Sequence, residues 1–414
     1  MNYISLFFAF TFLFSVHSLA MNPYQQEKNK GCLVAPNRLV RKGEVYEDSL
    51  IVGAAQWTKY LPLLAHKRVM IYGNHTSVVG HVHLLDLLIS KGIHVTGVFG
   101  PEHGFRGHAD AGEHVKNNKD AKTGVPIYSL YKGKNGKPNA AEMAAFDVLI
   151  VDIQDVGLRF YTYYISMIKL MESCADYNKK IIILDRPNPN GNMVDGPILD
   201  MKYKSGVGYL PIPIMHGMTL GELALMAKGE GWLNTPHPVN MTVVPCLNYT
   251  HQQRYSLPIA PSPNLRSDMA IALYPSLCYF EATPVSVGRG TIHPFECFGH
   301  SSLKTLPYEF TPKSIPGAKN PPQLGRLCHG RLLNNQSIDS IRSRGIDLSY
   351  LIEAYHKMPN KHHFFTSFFE KLMGVDYVRK MIIKGQSAQE IKKKWAPDVE
   401  RFSRQRRPYL LYPE

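Results

Sequence analysis

The stretch FDVLIVDIQDVG, residues 146–157, places a run of four apolar residues, Val148 to Val151, directly before Asp152 and, three residues further on, Asp155. The run is continuous rather than alternating and rich in β-branched residues, which is typical of a strand buried on both faces of a parallel sheet. Gly157 closes the segment as a turn residue. We therefore expect an interior strand whose carboxyl end carries acidic side chains.

Three further segments repeat this arrangement of an apolar run followed by polar residues. They are RVMIYGNHTS at 68–77, HVTGVFGPEHG at 94–104 and KIIILDRPNPNG at 180–191. Stretches of helical character lie between the runs, for example HVHLLDLLISKG and YYISMIKLMESCADY. The alternation predicts an α/β fold with a doubly wound, mostly parallel sheet. Such sheets bind ligands outside the carboxyl ends of their strands, so one rim should carry His75, Glu102, Asp152, Asp155 and Asp185.

The character of the sequence changes after residue 238. A T-x-x-E capping box, Thr219 to Glu222, opens an apolar helical run before this point. Beyond it, a passage rich in Pro and Gly contains a second polar cluster, Glu281, Ser286, Arg289, Thr291 and Glu296, and amphipathic helices are expected near 346–356, 364–372 and 388–395. We predict a signal peptide at 1–20, an N-terminal extension at 21–45, a Rossmann-like domain at 46–238 and a smaller α+β C-terminal domain at 239–414. The active-site cleft is expected between the last two.

The amino terminus has the features of an export signal. Residues 1–20 are mostly apolar and end in the small residues Ser18 and Ala20, which predicts cleavage and a periplasmic or extracellular protein. An uncleaved anchor is the alternative, because the α-amino group is the only charge before the apolar run. No later run approaches the ~20 apolar residues of a membrane span, so no stable span is expected after cleavage.

Charge and cysteine content restrict the class of partner. The formal net charge of +14 favours anionic surfaces such as nucleic acid, acidic lipid or a cell-wall polymer. Export and the lack of basic repeats interleaved with aromatic residues argue against nucleic acid. The six cysteines follow no disulfide framework, so we expect mostly free, buried thiols.

Glu102 and Glu281 are the carboxylates most conspicuously placed in Gly-rich polar surroundings, and they come from different halves of the chain. Glycosidic bond cleavage needs such a pair, because one carboxyl group protonates the leaving oxygen while the other, or a water that it activates, attends the anomeric carbon. His103 and Arg106 could hold or tune the Glu102 carboxylate. A surface charge or a helix-capping role is the alternative for Glu102 taken alone.

Other chemistries have weaker support in the sequence. His81, His83, His103, His108 and His114 could form a metal site with Asp152 or Asp185, but no tight ligand spacing such as H-E-x-x-H is present. Ser286 lacks the G-x-S-x-G elbow of a nucleophilic serine, and no phosphate-binding glycine loop follows the first strand. We expect no metal and no cofactor, and keep a metal-dependent cell-wall amidase or phosphoesterase and a non-catalytic muropeptide-binding protein as alternatives.

Nine motifs in order resemble one family, the exo-β-N-acetylmuramidases of the NamZ type, long catalogued as a domain of unknown function. They are GNHTS, GPEHGFRG, DIQDVGLRFYTY, DRPNPNG, MHGMTLGELA, PSPN, YPSLCYFEATPVSVGRGT, PFE and RPYLLY. The resemblance runs from about Gly31 to Tyr412 and departs from the family pattern at Ala282 and Pro284. It implies a Rossmann-like domain joined to a smaller C-terminal domain, and release of N-acetylmuramic acid (MurNAc) from the non-reducing end of peptidoglycan fragments in cell-wall recycling. The implied partners are MurNAc–N-acetylglucosamine oligosaccharides.

The resemblance also implies roles for residues within these motifs. Glu102 is implied as the general acid and Glu281 as the second carboxylate. Candidates for substrate binding are Asn74, His75, His103, Arg106, Asp152, Asp155, Arg159, Tyr161, Asp185, Asn188, His216, Asn264 and Arg289. Muramic acid carries a lactyl carboxylate, so Arg106, Arg159 or Arg289 is expected to select it through an arginine–carboxylate contact. An internal ion pair with Asp155 or Glu281 is the alternative for the last two arginines.

Overall fold

A computed structural model describes residues 49–101, 105, 118–130 and 136–414. The strands in this part of the chain are β1 (Val69–Gly73), β2 (Val78–Val79), β3 (Val82–His83), β4 (Val95–Gly100), β5 (Asn118–Lys119), β6 (Pro126–Ser129), β7 (Val148–Asp152), β8 (Lys180–Leu184), β9 (Asn240–Val244), β10 (Cys297–His300), β11 (Tyr308–Phe310) and β12 (Cys328–Leu332). The helices are α1 (Trp57–Tyr60), α2 (Leu84–Ser90), α3 (Ala140–Ala144), α4 (Tyr163–Asp176), α5 (Leu220–Gly229), α6 (Asp268–Leu277), α7 (Ile338–Arg344), α8 (Ser349–Lys357), α9 (Phe368–Met373), α10 (Tyr377–Ile383) and α11 (Ala388–Arg406).

The central sheet has seven strands in the order β5-β6-β4-β1-β7-β8-β9. All neighbouring strands run parallel except β5, which pairs antiparallel with β6. The predicted Rossmann-like, mostly parallel sheet is therefore confirmed. Because parallel strands share one carboxyl edge, the residues that follow β1, β7 and β8 lie along the same rim.

Alternate residues of the central strands supply the cores on the two faces of the sheet. Ile71 of β1 and Ile150 of β7 pack in one apolar cluster with α2. Tyr72 and Val151, the next residue of each strand, pack in the other cluster with α4 and α5. Since both faces are covered by apolar side chains, a continuous apolar run is what each strand requires.

The predicted capping box at the start of α5 is present. The Thr219 side chain accepts from the Glu222 backbone N–H, and the Glu222 carboxylate accepts from the Thr219 backbone N–H at 2.9 Å. Both residues are buried, and the box satisfies two backbone donors that helix geometry leaves unpaired.

The C-terminal part contains a three-stranded antiparallel sheet, β10-β12-β11, and the helices α6 to α11. Strand β9 lies in the central sheet, although the sequence-based division at residue 238 assigns it to this part; the division itself remains a prediction. Helix α11 continues through Pro397 to Arg406, well beyond the predicted end at Trp395, and buries Phe402 and Arg406. Packing of the second half of the helix thus outweighs the missing hydrogen bond at proline.

Five cysteines lie in the described residues, and all five are free and buried: Cys174, Cys246, Cys278, Cys297 and Cys328. Burial raises the pKa of the Cys174 thiol to about 12, so that thiol remains protonated and behaves as an apolar side chain. The expectation of free thiols is confirmed for these five; Cys32 is outside the described part of the chain. Among the described helices, none has the length and apolar character needed to cross a membrane.

Candidate active site

Glu102, His103 and Arg106 lie outside the described residues. The strand before them, β4, ends at Gly100, whose register partner is Ser129 of β6. Phe105 is described and buried, with its ring edge-on to His83 at a centroid distance of 4.8 Å. The roles expected for the first three residues therefore rest on the sequence.

Asp152, at the end of β7, is held in a buried ion pair with Arg186, which follows β8. Arg186 Nε lies 2.6 Å from Asp152 Oδ1, and Nη2 lies 3.0 Å from Oδ2. Arg186 Nη2 also donates to the carbonyl oxygen of Val78 at 2.9 Å. Both carboxylate oxygens of Asp152 accept hydrogen bonds from Arg186. The pair connects the carboxyl ends of β7 and β8. Sequence reasoning did not select Arg186, although it directly follows Asp185 in the motif DRPNPNG.

Asn74 shapes the turn that follows β1. Its Oδ1 accepts from the Thr76 backbone N–H at 2.9 Å and from the Thr76 hydroxyl at 2.6 Å. His83 Nε2 lies 2.9 Å from the Asn74 carbonyl oxygen, and Ser77 donates its hydroxyl to the Asp152 carbonyl oxygen. Asn74 is fully buried, so its described contacts belong to the turn rather than to an open surface.

His75, Tyr161 and Asn264 meet at the loop Ala260–Asn264, which contains the PSPN motif. His75 Nε2 lies 2.8 Å from the Ala260 carbonyl oxygen, and the Tyr161 hydroxyl donates to the Pro261 carbonyl oxygen at 3.0 Å. Asn264 donates from Nδ2 to the Gly317 carbonyl oxygen at 2.8 Å. Two predicted binding residues, from segments far apart in sequence, thus bind this loop, and the third, Asn264, belongs to it.

Asp155 is buried beside the turn at Gly157. Its Oδ1 accepts from the Gly157 backbone N–H at 2.7 Å. Burial raises the pKa of Asp155 to about 7, against the effect of backbone N–H groups including those of Gly157 and Val156. Removal of a carboxylate from water disfavours its charged form, so Asp155 titrates near neutral pH.

Asp185 directly follows β8, and its buried carboxylate contacts the first residues of α5. It accepts from the Thr219 hydroxyl at 2.6 Å, from the Gly221 backbone N–H at 2.9 Å and from the Tyr412 hydroxyl at 2.5 Å. Burial raises the pKa of Asp185 to about 6, while the hydrogen bonds from Thr219 and Tyr412 act in the opposite direction. Its described contacts connect β8, α5 and the end of the chain.

Asn188 and His216 are also buried. Asn188 donates from Nδ2 to the Met218 carbonyl oxygen at 2.9 Å, and its Oδ1 accepts from the Asn190 backbone N–H at 2.8 Å. His216 Nδ1 accepts from the Met218 backbone N–H at 3.2 Å. Burial is the main cause that lowers the pKa of His216 to about 3, and the positive charge of Arg406 is the second. The imidazole is therefore neutral at physiological pH.

Arg159 is fully buried and binds backbone carbonyls. Nη1 donates to Pro197 at 2.7 Å and to Ile212 at 2.9 Å, and Nη2 donates to Leu372 at 3.1 Å and to Met373 at 2.7 Å. Burial lowers its pKa to about 10. The ion pair with Asp155 considered from the sequence is not formed in the described structure; the guanidinium instead joins a loop before α5 to the end of α9.

Glu281 and Arg289 form an ion pair that is accessible from solvent. Arg289 donates from Nε at 3.0 Å and from Nη2 at 2.5 Å, both to Oε1 of Glu281. Their side chains are 27% and 19% exposed, respectively, unlike the other described candidate carboxylates, which are buried. The guanidinium lies 5.0 Å from the ring centroid of Phe295, within cation–π distance. The internal ion pair considered for Arg289 is thus present.

Potential metal ligands are dispersed in the part of the chain that the structure describes. No group of three or more His, Cys, Asp or Glu side chains there could hold a metal ion. His103, His108 and His114, three of the histidines considered for a metal site, lie in the undescribed segment after β4.

The regions of this chain that match known proteins include nearly all of the strands and helices described above. The family models described as exo-β-N-acetylmuramidase NamZ, N-terminal and C-terminal, match residues 69–269 and 272–412. The chain is 37% identical over 374 residues to the peptidoglycan β-N-acetylmuramidase NamZ of Bacillus subtilis (strain 168), a match that covers 85% of this chain and 89% of that relative. A crystal structure of a DUF1343 family protein from Bacteroides fragilis NCTC 9343 has a TM-score of 0.83 at 60% identity, covering 88% of this chain and 99% of that chain. A second DUF1343 family protein from the same organism has a TM-score of 0.72 at 26% identity, with the same coverage.

Proposed function

Because the chain belongs to the NamZ family of exo-β-N-acetylmuramidases, we propose that it hydrolyses the terminal β-glycosidic bond of peptidoglycan fragments and releases MurNAc from the non-reducing end. The chain is a glycoside hydrolase by this membership. Its substrates in the proposal are MurNAc–N-acetylglucosamine oligosaccharides from cell-wall turnover.

Glu281 suits the carboxylate that attends the anomeric carbon. Arg289 places both of its hydrogen bonds on Oε1, and Oε2 has the weak thiol donor of Cys278 at 3.7 Å. Oε2 is therefore the oxygen available to the substrate or to an activated water. A carboxylate in this role must carry its charge, and the neighbouring guanidinium supplies the compensating positive charge.

Glu102 is proposed as the general acid that protonates the leaving oxygen. The support is the motif GPEHGFRG, whose first residue, Gly100, is the last residue of β4. Parallel sheets bind ligands outside the carboxyl ends of their strands. Glu102 and Glu281 then supply the two carboxyl groups that glycoside hydrolysis requires.

Arg289 is proposed to recognise the lactyl carboxylate as well as to hold Glu281. Within the described residues, Arg289 donates hydrogen bonds from Nε and Nη2, and Nη1 makes none. The Nη1 edge can therefore contact a second carboxylate. Arg159 is excluded from this role because it is fully buried and its Nη1 and Nη2 both donate to backbone carbonyls inside the molecule, whereas Arg106 stays a candidate from its motif.

The accessible Glu281–Arg289 pair carries the proposal, and Arg289→Ala tests it. Turnover of a chromogenic β-muramide is compared with that of the matched glucosaminide, which lacks the lactyl group. The variant is expected to lose kcat/KM on both, because Glu281 loses its partner, and to lose about 2–4 kcal/mol more on the muramide, the range for unpairing an ion contact.

Arg331→Ala is the matched control, because Arg331 forms an ion pair with Glu353 outside the candidate site. Equal losses of the Arg289 variant on both substrates would assign the lactyl contact to another residue. Absence of wild-type turnover on the muramide would overturn the proposed activity. Loss of turnover in EDTA with rescue by a divalent ion would instead support a metal-dependent hydrolase.

We also propose that residues 1–20 direct export to the periplasm or the extracellular space. The support is the apolar run that ends in Ser18 and Ala20. Amino-terminal sequencing of the protein recovered outside the cytoplasm is expected to begin after Ala20, and a cytoplasmic protein that retains Met1 would contradict this.

A further inference from the structure

The Glu281 carboxylate has a second neighbour inside the protein, the thiol of Cys278. The two residues are three apart in a short 3-10 helix, Cys278–Ala282, and lie on the same side of it, because such a helix has three residues per turn. Cys278 Sγ lies 3.7 Å from Glu281 Oε2, and Cys278 is 1% exposed. The thiol therefore contacts Oε2 from the buried side, whereas both hydrogen bonds of Arg289 are on Oε1.

The thiol of Cys278 carries a proton that it can donate. Burial raises the pKa of Cys278 well above its usual value, and the charge of Glu281 acts in the same direction. A thiol is a weak donor, and each oxygen of a carboxylate has two lone pairs. One lone pair of Oε2 can accept from the thiol while the other remains for a water or a substrate group.

Tyr274 contacts both members of the Glu281–Arg289 ion pair through intermediate side chains. It lies four residues before Cys278, one turn of α6, and its hydroxyl forms a hydrogen bond with the thiol that lowers the pKa of Cys278 against the larger effect of burial. The Tyr274 ring packs edge-on against Phe295, with centroids 4.9 Å apart. Phe295 in turn lies 5.0 Å from the Arg289 guanidinium. These five side chains form a closed ring of contacts around the ion pair.

We propose that Cys278 and Tyr274 are positioning residues for Glu281. The thiol donates to Oε2 from the protein interior and fixes the orientation of the carboxylate, and the Tyr274 hydroxyl holds the thiol in that direction. A rotated carboxylate would move Oε2 away from the reacting atom, and such misplacement lowers the rate. The inference rests on the proposed function, because Glu281 is the carboxylate that attends the anomeric carbon in that reaction.

Cys278→Ser and Cys278→Ala separate positioning from packing, because serine keeps a donor and alanine removes it. We expect Cys278→Ala to lower kcat about 10-fold with KM changed less than about 2-fold, and Cys278→Ser to retain kcat within about 3-fold. Packing alone predicts the reverse order, because serine buries a hydroxyl where alanine buries only a methyl group. An alanine variant at least as active as the serine variant would overturn the proposal.

Tyr274→Phe keeps the ring against Phe295 and removes the hydroxyl. It should lower kcat about 3-fold in the wild type and have no further effect in the Cys278→Ala background, because the hydroxyl acts through the thiol. Equal effects in the two backgrounds would contradict this role. Cys174→Ala is the matched control: Cys174 is a fully buried thiol on α4, so the variant should lose stability through the cavity and retain wild-type kcat.

The S–H stretching vibration gives a measurement that requires no turnover. The infrared band lost in the Cys278 variants should lie at lower frequency than the band lost in Cys174→Ala, since the Cys174 thiol forms no hydrogen bond within the described part of the chain. Glu281→Ala should shift the Cys278 band to higher frequency, and a band that does not move would overturn the proposal.

The difference spectrum between the wild type and Glu281→Ala shows that shift directly, so the test holds even if no Cys278 variant folds. Glu281 is partly exposed, and its replacement leaves the buried side chains in place. A wild type that shows the lowered S–H frequency but does not cleave the muramide would overturn the proposed activity and leave the thiol contact intact.

Discussion

At the residue scale, the carboxylates of the candidate site differ in which oxygens remain available. Both oxygens of Asp152 accept from Arg186, and Asp185 accepts three hydrogen bonds inside the molecule. Glu281 has both bonds from Arg289 on one oxygen and is partly exposed. Of these described carboxylates, Glu281 is therefore the one with a partly exposed side chain and an oxygen to which Arg289 does not donate.

We expect Glu102→Gln to lower kcat by at least about 100-fold on a natural disaccharide, because the substitution keeps size and hydrogen bonding but removes the proton. A nitrophenyl muramide needs less protonation of its leaving group, so the same variant should lose markedly less on it wherever bond cleavage limits the rate. Steady-state kinetics on the two substrates measures the difference, and the basic limb of the pH profile should flatten.

Glu281→Gln serves as the comparison for this prediction. It should lose activity on both substrates, because the step at the anomeric carbon is needed whatever the leaving group. If Glu281→Gln showed the leaving-group dependence while Glu102→Gln lost equally on both substrates, the two roles would be exchanged.

At the element scale, the last residues of the chain form a connection to the central sheet. The Leu411 backbone N–H donates to Glu222 Oε1 at 2.8 Å, and the Tyr412 hydroxyl donates to Asp185 and accepts from the Cys246 backbone N–H at 2.9 Å. The last residues of the sequence thus donate hydrogen bonds to the capping residue Glu222 of α5 and to Asp185, which follows β8.

Tyr412→Phe is expected to lower the free energy of unfolding by about 1.5–3 kcal/mol, the range for hydrogen bonds to charged groups. The loss arises because Asp185 keeps its burial but loses a donor, and Cys246 loses an acceptor. Urea unfolding measures it. Tyr409→Phe is the control, since its hydroxyl donates to Glu230 near the surface, and its loss should stay below about 1 kcal/mol; equal losses would contradict the importance of the buried contact.

At the scale of the whole molecule, buried titratable groups act on stability in opposite directions. The pKa of His216 is lowered to about 3, whereas the pKa of Asp155 is raised to about 7. Between pH 3 and about 6.5, unfolding lets His216 take up a proton, so its contribution to stability is lost as the pH falls. Between about pH 4 and 7, unfolding lets Asp155 release a proton, so its contribution to stability is lost as the pH rises.

His216→Asn should therefore become more stable relative to the wild type as the pH is lowered from about 6.5 to 4, by up to about 1.4 kcal/mol per pH unit. Asp155→Asn should become more stable relative to the wild type as the pH is raised from about 4 to 7. In both variants the asparagine Oδ1 can accept the backbone hydrogen bond that the native side chain accepts, from Met218 N–H at position 216 and from Gly157 N–H at position 155. Urea unfolding across this range measures the differences, and parallel curves for wild type and variants would contradict the buried titrations.

Local patterns in the sequence determined the strands and their polar ends. The apolar runs before Asp152 and Asp185 predict buried parallel strands, because a strand covered on both faces needs an apolar residue at every position. The capping box at Thr219 was predictable for a similar reason, since its two partners are three residues apart. The nine motifs in order were sufficient for the family resemblance and for singling out Glu281.

The partners of the buried polar side chains were decided only by the tertiary structure. Arg159 binds carbonyls up to 214 residues away, and Arg186 rather than Arg159 neutralises a rim aspartate. Tyr161 and His75 likewise proved to bind a loop. A local pattern shows which residue types follow a strand, but it contains no information on which distant carbonyl or charge will meet them. That pairing depends on how the sheet, the loops and the C-terminal helices pack, because a buried polar group must be satisfied by whatever that packing brings within hydrogen-bond distance.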